Sequence, residues 1–384
     1  MKFAFCLVKY FPFGGLQRDF FRILQECQRR GHEVHVFALE WQGDKPDGLN
    51  LEIMPTKSFT NTGRYAGFVR AIHPLLAERD YDAVIGFNKI PGLDIYYAAE
   101  SCFVARAARL KGPFYRFTAR YKHFSSYEEA VFGAVSSTQI LLLSENEKGV
   151  FREYYGTQEE RFHVLPPTLD KERVFAENAV EVRVRLRDQL GIQEEDYLVL
   201  MVGSGFKTKG LDRAIHALAK LPEQLRHKTY LFVVGQNRPT RFRWLASCCG
   251  VGERVVFLGG RSDVPEILRA GDLLLHPAYE EVTGNVLLES IAGGLPVLAT
   301  DVCGYAPHVE KSGAGQLVRY PFRQEDLNRR LAEMLTSSER KIWSHNGISY
   351  GRNPGLYCMP EKAADIIEEA VLKKKNGGGR RGDS

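Results

Sequence analysis

The sequence predicts an α/β protein of two doubly wound domains, each built on a parallel sheet. Three observations lead there. The chain has 384 residues, more than one hydrophobic core usually serves, so two domains of roughly 150–200 residues are expected. Short apolar runs alternate with segments of helical periodicity almost throughout, which is the pattern of βαβ units. That rhythm breaks once, at "LPPTLDKERVF", and then starts again.

Taken in order, "KFAFCLV" reads as a short buried strand. "KYFPFGG" leads from it into a helix from about Leu16 to Arg30. There Leu16, Phe20, Ile23, Leu24 and Cys27 fall at helical spacing, and Gly31 supplies the stop. The strand-like runs "EVHVFAL", "LEIMP", "DAVIGF", "TQILLLS" and "FHVLPP" follow. The proline pair and the polar residues after it place a hinge near residues 165–180. A second series comprises "YLVLMVG", "YLFVVG", "VVFLGG", "DLLLHP" and "LPVLAT". After Pro360, "PEKAADIIEEAVLKKK" reads as a terminal helix and "NGGGRRGDS" as a flexible basic tail. The expected division is therefore 1–168, 169–359, a helix at 360–375 and a tail at 376–384. Doubly wound sheets bind ligands at the carboxyl ends of their strands, so two such domains facing each other would form one shared cleft.

Composition narrows the function classes. The chain is 44% hydrophobic and 26% charged with a net charge of +5, ordinary for a globular protein. No apolar run approaches the ~20 residues that span a bilayer. The amino terminus reads as a first strand rather than a signal peptide, because Lys9 interrupts it and no small-residue cleavage site follows. Seven scattered cysteines, without metal-ligand spacing, suggest reduced thiols in a cytoplasmic protein and argue against structural zinc.

Two segments carry the chemistry. "VGSGFKTKGLDRAIHAL" follows the first strand of the second half. Gly203, Gly205 and Gly210 fit neither a Walker loop nor a dinucleotide fingerprint. Lys207 and Lys209 are either solvated residues at a strand–helix turn or a clamp for a diphosphate. In "HPAYEEVTGNVLLESIAGGLPVLATD", a buried strand ends before a loop that contains Glu281, and a helix starts near Thr283–Gly284. Free N–H groups on Gly284, Asn285 and Val286 suit a phosphate. Glu281 and Glu289, eight residues apart, flank that anion site and can accept hydrogen bonds from sugar hydroxyls. The plainer reading is a helix with an acidic start. A nucleoside diphosphate sugar would use every element of the stretch.

"EEVTGNVLLESIAGGLPVLATDVCG" resembles the E-x7-E signature of the retaining glycosyltransferases of family four, whose GT-B fold pairs two Rossmann-like domains. The likeness extends to "GSGFKTKG", "YFPFGGLQRDF", "VIGFNKIPGLDIYYAAE" and "HPAYEE". These segments look like the branch that glucosylates the inner-core heptose of lipopolysaccharide. The resemblance implies UDP-glucose as donor, a lipid-linked heptose acceptor, retention of configuration and no metal cofactor. It implies that Glu289 holds the ribose hydroxyls and that Glu281 reaches the transferred sugar. Thr283, Gly284, Asn285 and Val286 would offer N–H groups to sugar and phosphate. Lys209 and Arg173 would neutralise the diphosphate, with Lys207 standing in for the arginine that the family often has where this chain has Thr208. Arg261 and Ser262, in "GGRSD", would hold uracil through backbone groups. Gly14 and Gly15 would let the facing loop approach the donor, and Asp19 would point into the cleft. The hinge departs from the frequent Asn-Gly-Val-Asp pattern, reading "PPTLD".

Three other features complete the reading. "DYD" at 80–82 has the D-x-D form of a metal motif but precedes a strand, the wrong end of the sheet, and is read as surface. The glutamate pair could serve a hydrolase, yet the lysines and the anion-binding helix start would then have no role. Residues 103–127 hold six Lys/Arg, seven Phe/Tyr and no Asp/Glu. That pattern fits a helix pair with core aromatics, an RNA-binding patch or an anionic membrane surface. A lipid-linked acceptor favours the membrane, which places the protein peripherally on the cytoplasmic face, with no nucleic-acid partner expected.

Overall fold

The computed structural model describes residues 1–12, 14–170 and 179–378. It divides into two compact units, Met1–Thr168 with Cys358–Ser384, and Leu169–Tyr357.

The first unit holds seven strands: β1 (Lys2–Tyr10), β2 (Glu33–Trp41), β3 (Asn50–Ile53), β4 (Ala83–Gly86), β5 (Ile95–Ala98), β6 (Gln139–Leu142) and β7 (Phe162–Val164). They form one sheet in the order β3-β2-β1-β4-β5-β6-β7. Every pairing is parallel. The second unit holds β8 (Tyr197–Val202), β9 (Thr229–Val234), β10 (Val255–Gly259), β11 (Leu273–His276), β12 (Val297–Thr300) and β13 (Gly315–Val318). These run β10-β9-β8-β11-β12-β13, again all parallel. The doubly wound α/β class expected from the sequence is thus present twice. Two strands escape the sequence pattern. β5 is four residues, "IYYA", half of them tyrosine, and β13, "GQLV", is a short edge strand that opens on Gly-Gln.

Burial on both faces explains the apolar runs. Along β8, Val199 and Met201 enter one core cluster, whereas Leu198, Leu200 and Val202 enter the other. Alternate side chains of one strand thereby serve opposite layers of helices. In the first unit, Phe5 and Phe87 stack at 5.6 Å, with Phe20 of the helix Gly15–Arg29 edge-on to both.

The terminal helix spans Met359–Gly378, longer than the 360–375 expected, so the first residues of the presumed tail are helical. It belongs with the first unit. Ala363, Ala364, Ile367 and Val371 are buried. Arg30 meets Asp365 at 2.8 Å and Glu368 at 3.2 Å, and His32 meets Glu368 at 2.7 Å. Lys375 pairs with Asp82 at 2.6 Å, while Asp82 Oδ2 accepts the Lys2 N–H at 2.7 Å. The second aspartate of "DYD" is therefore a structural anchor at the amino ends of the strands.

Candidate active site

In each sheet the winding direction reverses at one place, where open α/β sheets bind ligands. In the second unit that place lies between β8 and β11, which are hydrogen-bonded neighbours. The loops leaving their carboxyl ends are the two segments singled out above, so the topology itself brings them together.

Their junction is close. Gly210 has φ +75, and a Cβ there would lie 2.0 Å from the Pro277 carbonyl oxygen. Only glycine serves both the left-handed backbone and the contact. Tyr279 N–H donates to Thr208 O at 2.8 Å. The Arg213 guanidinium lies between the rings of Tyr279 and Phe322, at 3.5 and 3.6 Å from their centroids. From there it donates to Pro277 O and Ala278 O at 3.1 and 3.0 Å. On its far side the β11 loop is held by Gly304 N–H to Glu281 O, 3.0 Å, and Tyr305 N–H to Thr283 O, 2.8 Å.

Within this frame Lys209 Nζ forms an ion pair with Glu281 Oε2. Both side chains are largely buried, and burial pulls the Lys209 ammonium below the usual lysine range. His276, the last residue of β11, is 0% exposed. Its Nε2 lies 3.3 Å from the same Glu281 Oε2, while its Nδ1 is buried without a hydrogen-bond partner among the described residues. Burial, reinforced by Lys209, drives the imidazole down to about 3.

The helix after this loop is Asn285–Ala292, capped by Gly284 at φ +94 with no side-chain hydrogen bond and no acidic residue in its first turn. This overturns the plain reading of an acidic helix start, because Glu281 precedes the helix and Glu289 lies beyond its first turn. Thr283 leads into that cap, and the N–H groups of Asn285 and Val286 begin the helix. Glu289 is partly buried.

The remaining candidates sit as follows. Thr208 Oγ1 donates to Gly205 O at 2.8 Å and closes the turn, while Lys207 is exposed. Arg261 and Ser262 are exposed in the loop after β10, two strands from β8. Arg261 Nε donates to Asp263 Oδ1 at 2.8 Å. Arg173 and Phe13 lie outside the described residues. Gly14 caps the helix Gly15–Arg29. Asp19, on that helix, is buried against its own unit rather than projecting freely: Tyr97 Oη donates to its Oδ2 at 2.8 Å, and Arg22 is 3.6 Å from Oδ1. Burial pushes its carboxyl up to about 6, outweighing the Tyr97 hydrogen bond and the Arg22 and Arg18 charges. Among the described residues no group of three or more His, Cys, Asp or Glu is placed to hold a metal ion.

His276 is the residue that sequence reasoning missed. It stands in the quoted "HPAYEE", but a histidine ending an apolar strand carries no local sign of a partner five residues on.

Comparison with known proteins places the chain. The model for Glycosyltransferase Family 4 matches residues 13–173, and that for Glycosyl transferases group 1 matches residues 182–350. The lipopolysaccharide glucosyltransferase WaaG of Escherichia coli (strain K12) is 48% identical over 95% of this chain and 98% of its own length. The crystal structure of WaaG, described as a glycosyltransferase involved in lipopolysaccharide biosynthesis, superposes with a TM-score of 0.89 at 47% identity, over 95% of this chain and 99% of that one. Anabaena HepE in complex with UDP and glucose shares the fold at 18% identity, with a TM-score of 0.73 over 96% of this chain and 100% of that one. With two Rossmann-like units and a near-full-length relative of this identity, the chain belongs to glycosyltransferase family 4 and has the GT-B fold.

Proposed function

We propose that the protein transfers glucose from UDP-glucose, with retention of configuration, to an inner-core heptose of lipopolysaccharide. The observation that carries this reading is the single cluster formed by Lys209, Glu281 and a helix start whose cap, Gly284, brings no side chain, at the switch point of the second sheet. The near-full-length likeness to a lipopolysaccharide glucosyltransferase supports the choice of sugar and acceptor.

The chemistry follows from charge. When UDP departs, negative charge grows on the β-phosphate and positive, oxocarbenium-like charge grows on the sugar. The N–H groups of Asn285 and Val286 and the ammonium of Lys209 stabilise the leaving group more in the transition state than in the ground state. Glu281 accepts from a hydroxyl of the transferred glucose, and Glu289 from the ribose. Thr283 and Gly284 border the sugar, Arg173 and Lys207 add positive charge, and the backbone near Arg261 and Ser262 holds uracil. Lys209 is paired with Glu281, so an incoming diphosphate exchanges one anionic partner of Lys209 for another. Fixed cations fill the role a divalent metal plays elsewhere.

The acceptor is lipid-linked, and the surface of the first unit suits a membrane. Arg106, Arg109, Lys111, Arg116, Arg120 and Lys122 are all exposed. Leu110, Phe114 and Phe117 stand out beside them, Phe114 at 81% and Phe117 at 61% exposure. Phe103 instead packs against both Tyr121 and Phe124. Among the described residues no helix is long and apolar enough to cross a membrane. On the proposed reading the protein rests on the anionic cytoplasmic leaflet through residues 103–127.

Purified protein offered a panel of nucleotide sugars, with core lipopolysaccharide ending at heptose, tests the reading. UDP-glucose should be consumed fastest, with glucose appearing on the acceptor in the α configuration and EDTA leaving the rate unchanged. Preference for another donor, or activity that EDTA abolishes and Mg²⁺ restores, refutes the respective part.

A further inference from the structure

We infer that His276 is a positioning residue for transfer: it donates Nε2–H to Glu281 and holds that carboxylate in place when Lys209 turns to the donor diphosphate. The inference rests on the function proposed above, because it assigns a task within that reaction.

The geometry decides the tautomer. His276 Nε2 faces Glu281 Oε2 at 3.3 Å, and Nδ1 is buried with no hydrogen-bond partner among the described residues. With the proton on Nε2, a donor meets a carboxylate and the orphaned atom is a lone pair. With the proton on Nδ1, two lone pairs would oppose each other across 3.3 Å and an N–H would be buried unsatisfied, at a cost typical of a lost hydrogen bond. A doubly protonated ring would bury a cation beside Lys209, whose charge already disfavours it. The neutral Nε2–H form is what remains.

The need for such a donor follows from the arrangement at Glu281. Lys209 and His276 both contact Oε2, which leaves Oε1 for a hydroxyl of the transferred sugar. Lys209 is a flexible side chain shared between Glu281 and the phosphates. His276 is not shared: it ends a buried strand, is 0% exposed, and its side chain has one polar contact among the described residues. When Lys209 is drawn to the diphosphate, the imidazole is the donor that keeps the carboxylate from following the ammonium or being pushed away by the phosphates. A neutral donor suits this task, since an imidazolium would compete with Lys209 for the leaving group.

Three measurements test this. His276→Leu keeps an apolar filling of similar size but removes the donor, whereas His276→Gln restores an amide N–H at a comparable reach. His276→Leu should lower kcat for glucose transfer by about 10–100-fold, the loss of one hydrogen bond to a charged group, with the UDP dissociation constant within about twofold. His276→Gln should recover most of that kcat. Equal kcat in the two variants, whether both normal or both impaired, shows that only volume matters and overturns the assignment. Histidine ¹⁵N spectra of the wild-type protein, with the His276 signal identified by its loss in His276→Gln, should show the Nε2–H tautomer. An Nδ1–H or doubly protonated ring overturns it independently of turnover. Inactivity of the wild type toward every nucleotide sugar instead condemns the proposed function, and the spectrum still reports on the His276–Glu281 contact.

Discussion

Asp19→Asn should stabilise the protein at alkaline pH and damage its turnover. Asp19 is 6% exposed, and its carboxyl is pushed from an ordinary 3.8 up to about 6, chiefly by burial. The native state thus holds the Asp19 proton more tightly than the unfolded chain does. Its contribution to stability is complete below about pH 3.8, declines as pH rises toward 6 and is absent above that. That gap corresponds to on the order of 3 kcal/mol. Asparagine removes the buried charge and can still accept from Tyr97, but it forfeits the attraction of Arg22 and Arg18. A net gain of about 1–3 kcal/mol at pH 8 is therefore expected, shrinking toward zero near pH 4. For a unit of this size, the melting temperature of the transition that reports on the first unit should rise by roughly 2–4 °C per kcal/mol. Thermal unfolding followed by circular dichroism at both pH values reads it. Unchanged or lower stability at pH 8, or a gain independent of pH, would refute the reasoning and show that Tyr97 and the arginines outweigh burial. A stabilised variant with reduced kcat would mark Asp19 as a charge kept for the reaction at the expense of the fold.

Calorimetry with UDP separates the two glutamates. Glu289→Ala should weaken UDP binding by about 1.5–3 kcal/mol through loss of a charged acceptor for the ribose hydroxyls, whereas Glu281→Ala should keep UDP affinity and lose turnover. Equal losses in both would reject that division. Gly210→Ala, with φ +75 and a Cβ placed 2.0 Å from Pro277 O, should destabilise the second unit by about 2 kcal/mol or more; normal denaturation and normal UDP binding would show that the two loops separate freely. Replacing Arg116, Arg120 and Lys122 by glutamine should release the protein from anionic vesicles in sedimentation while UDP affinity stays unchanged. Wild-type binding should weaken with salt, because the ionic attraction is screened over about 8 Å at physiological strength. Unchanged sedimentation of the variant would return the segment to a role within its own unit.

Long apolar strands declare themselves in a sequence because burial on both faces leaves few polar positions between their ends, and β1, β2, β8 and β9 are of that kind. β5 and β13 do not, being four residues long and built partly of tyrosine, glycine and glutamine. The same divide runs through the site. Glu281, Gly284 and Glu289 lie within one short stretch, so spacing alone exposes them. The Lys209–Glu281 pair does not, because the strands that carry it are adjacent only through the winding of the sheet. Thr208 stands where the resemblance leads one to expect arginine, and its hydroxyl is committed to the turn at Gly205. Asp82 looked like idle surface, yet it is tied to Lys2 and Lys375 from opposite ends of the chain. Local pattern reports what a residue is, and the fold decides what it meets.

The return of the last helix to the first unit bears on how the chain is made. All of Leu169–Tyr357 is continuous, whereas the first unit needs residues from both sides of it. On the ribosome the second unit can close before the helix Met359–Gly378 emerges. The first cannot, because Asp365 and Glu368, the partners of Arg30, follow the whole of the second unit. Until then the surface that Ala363, Ala364, Ile367 and Val371 will cover stays open to water and to chaperones. The amino-terminal half is born first and finished last.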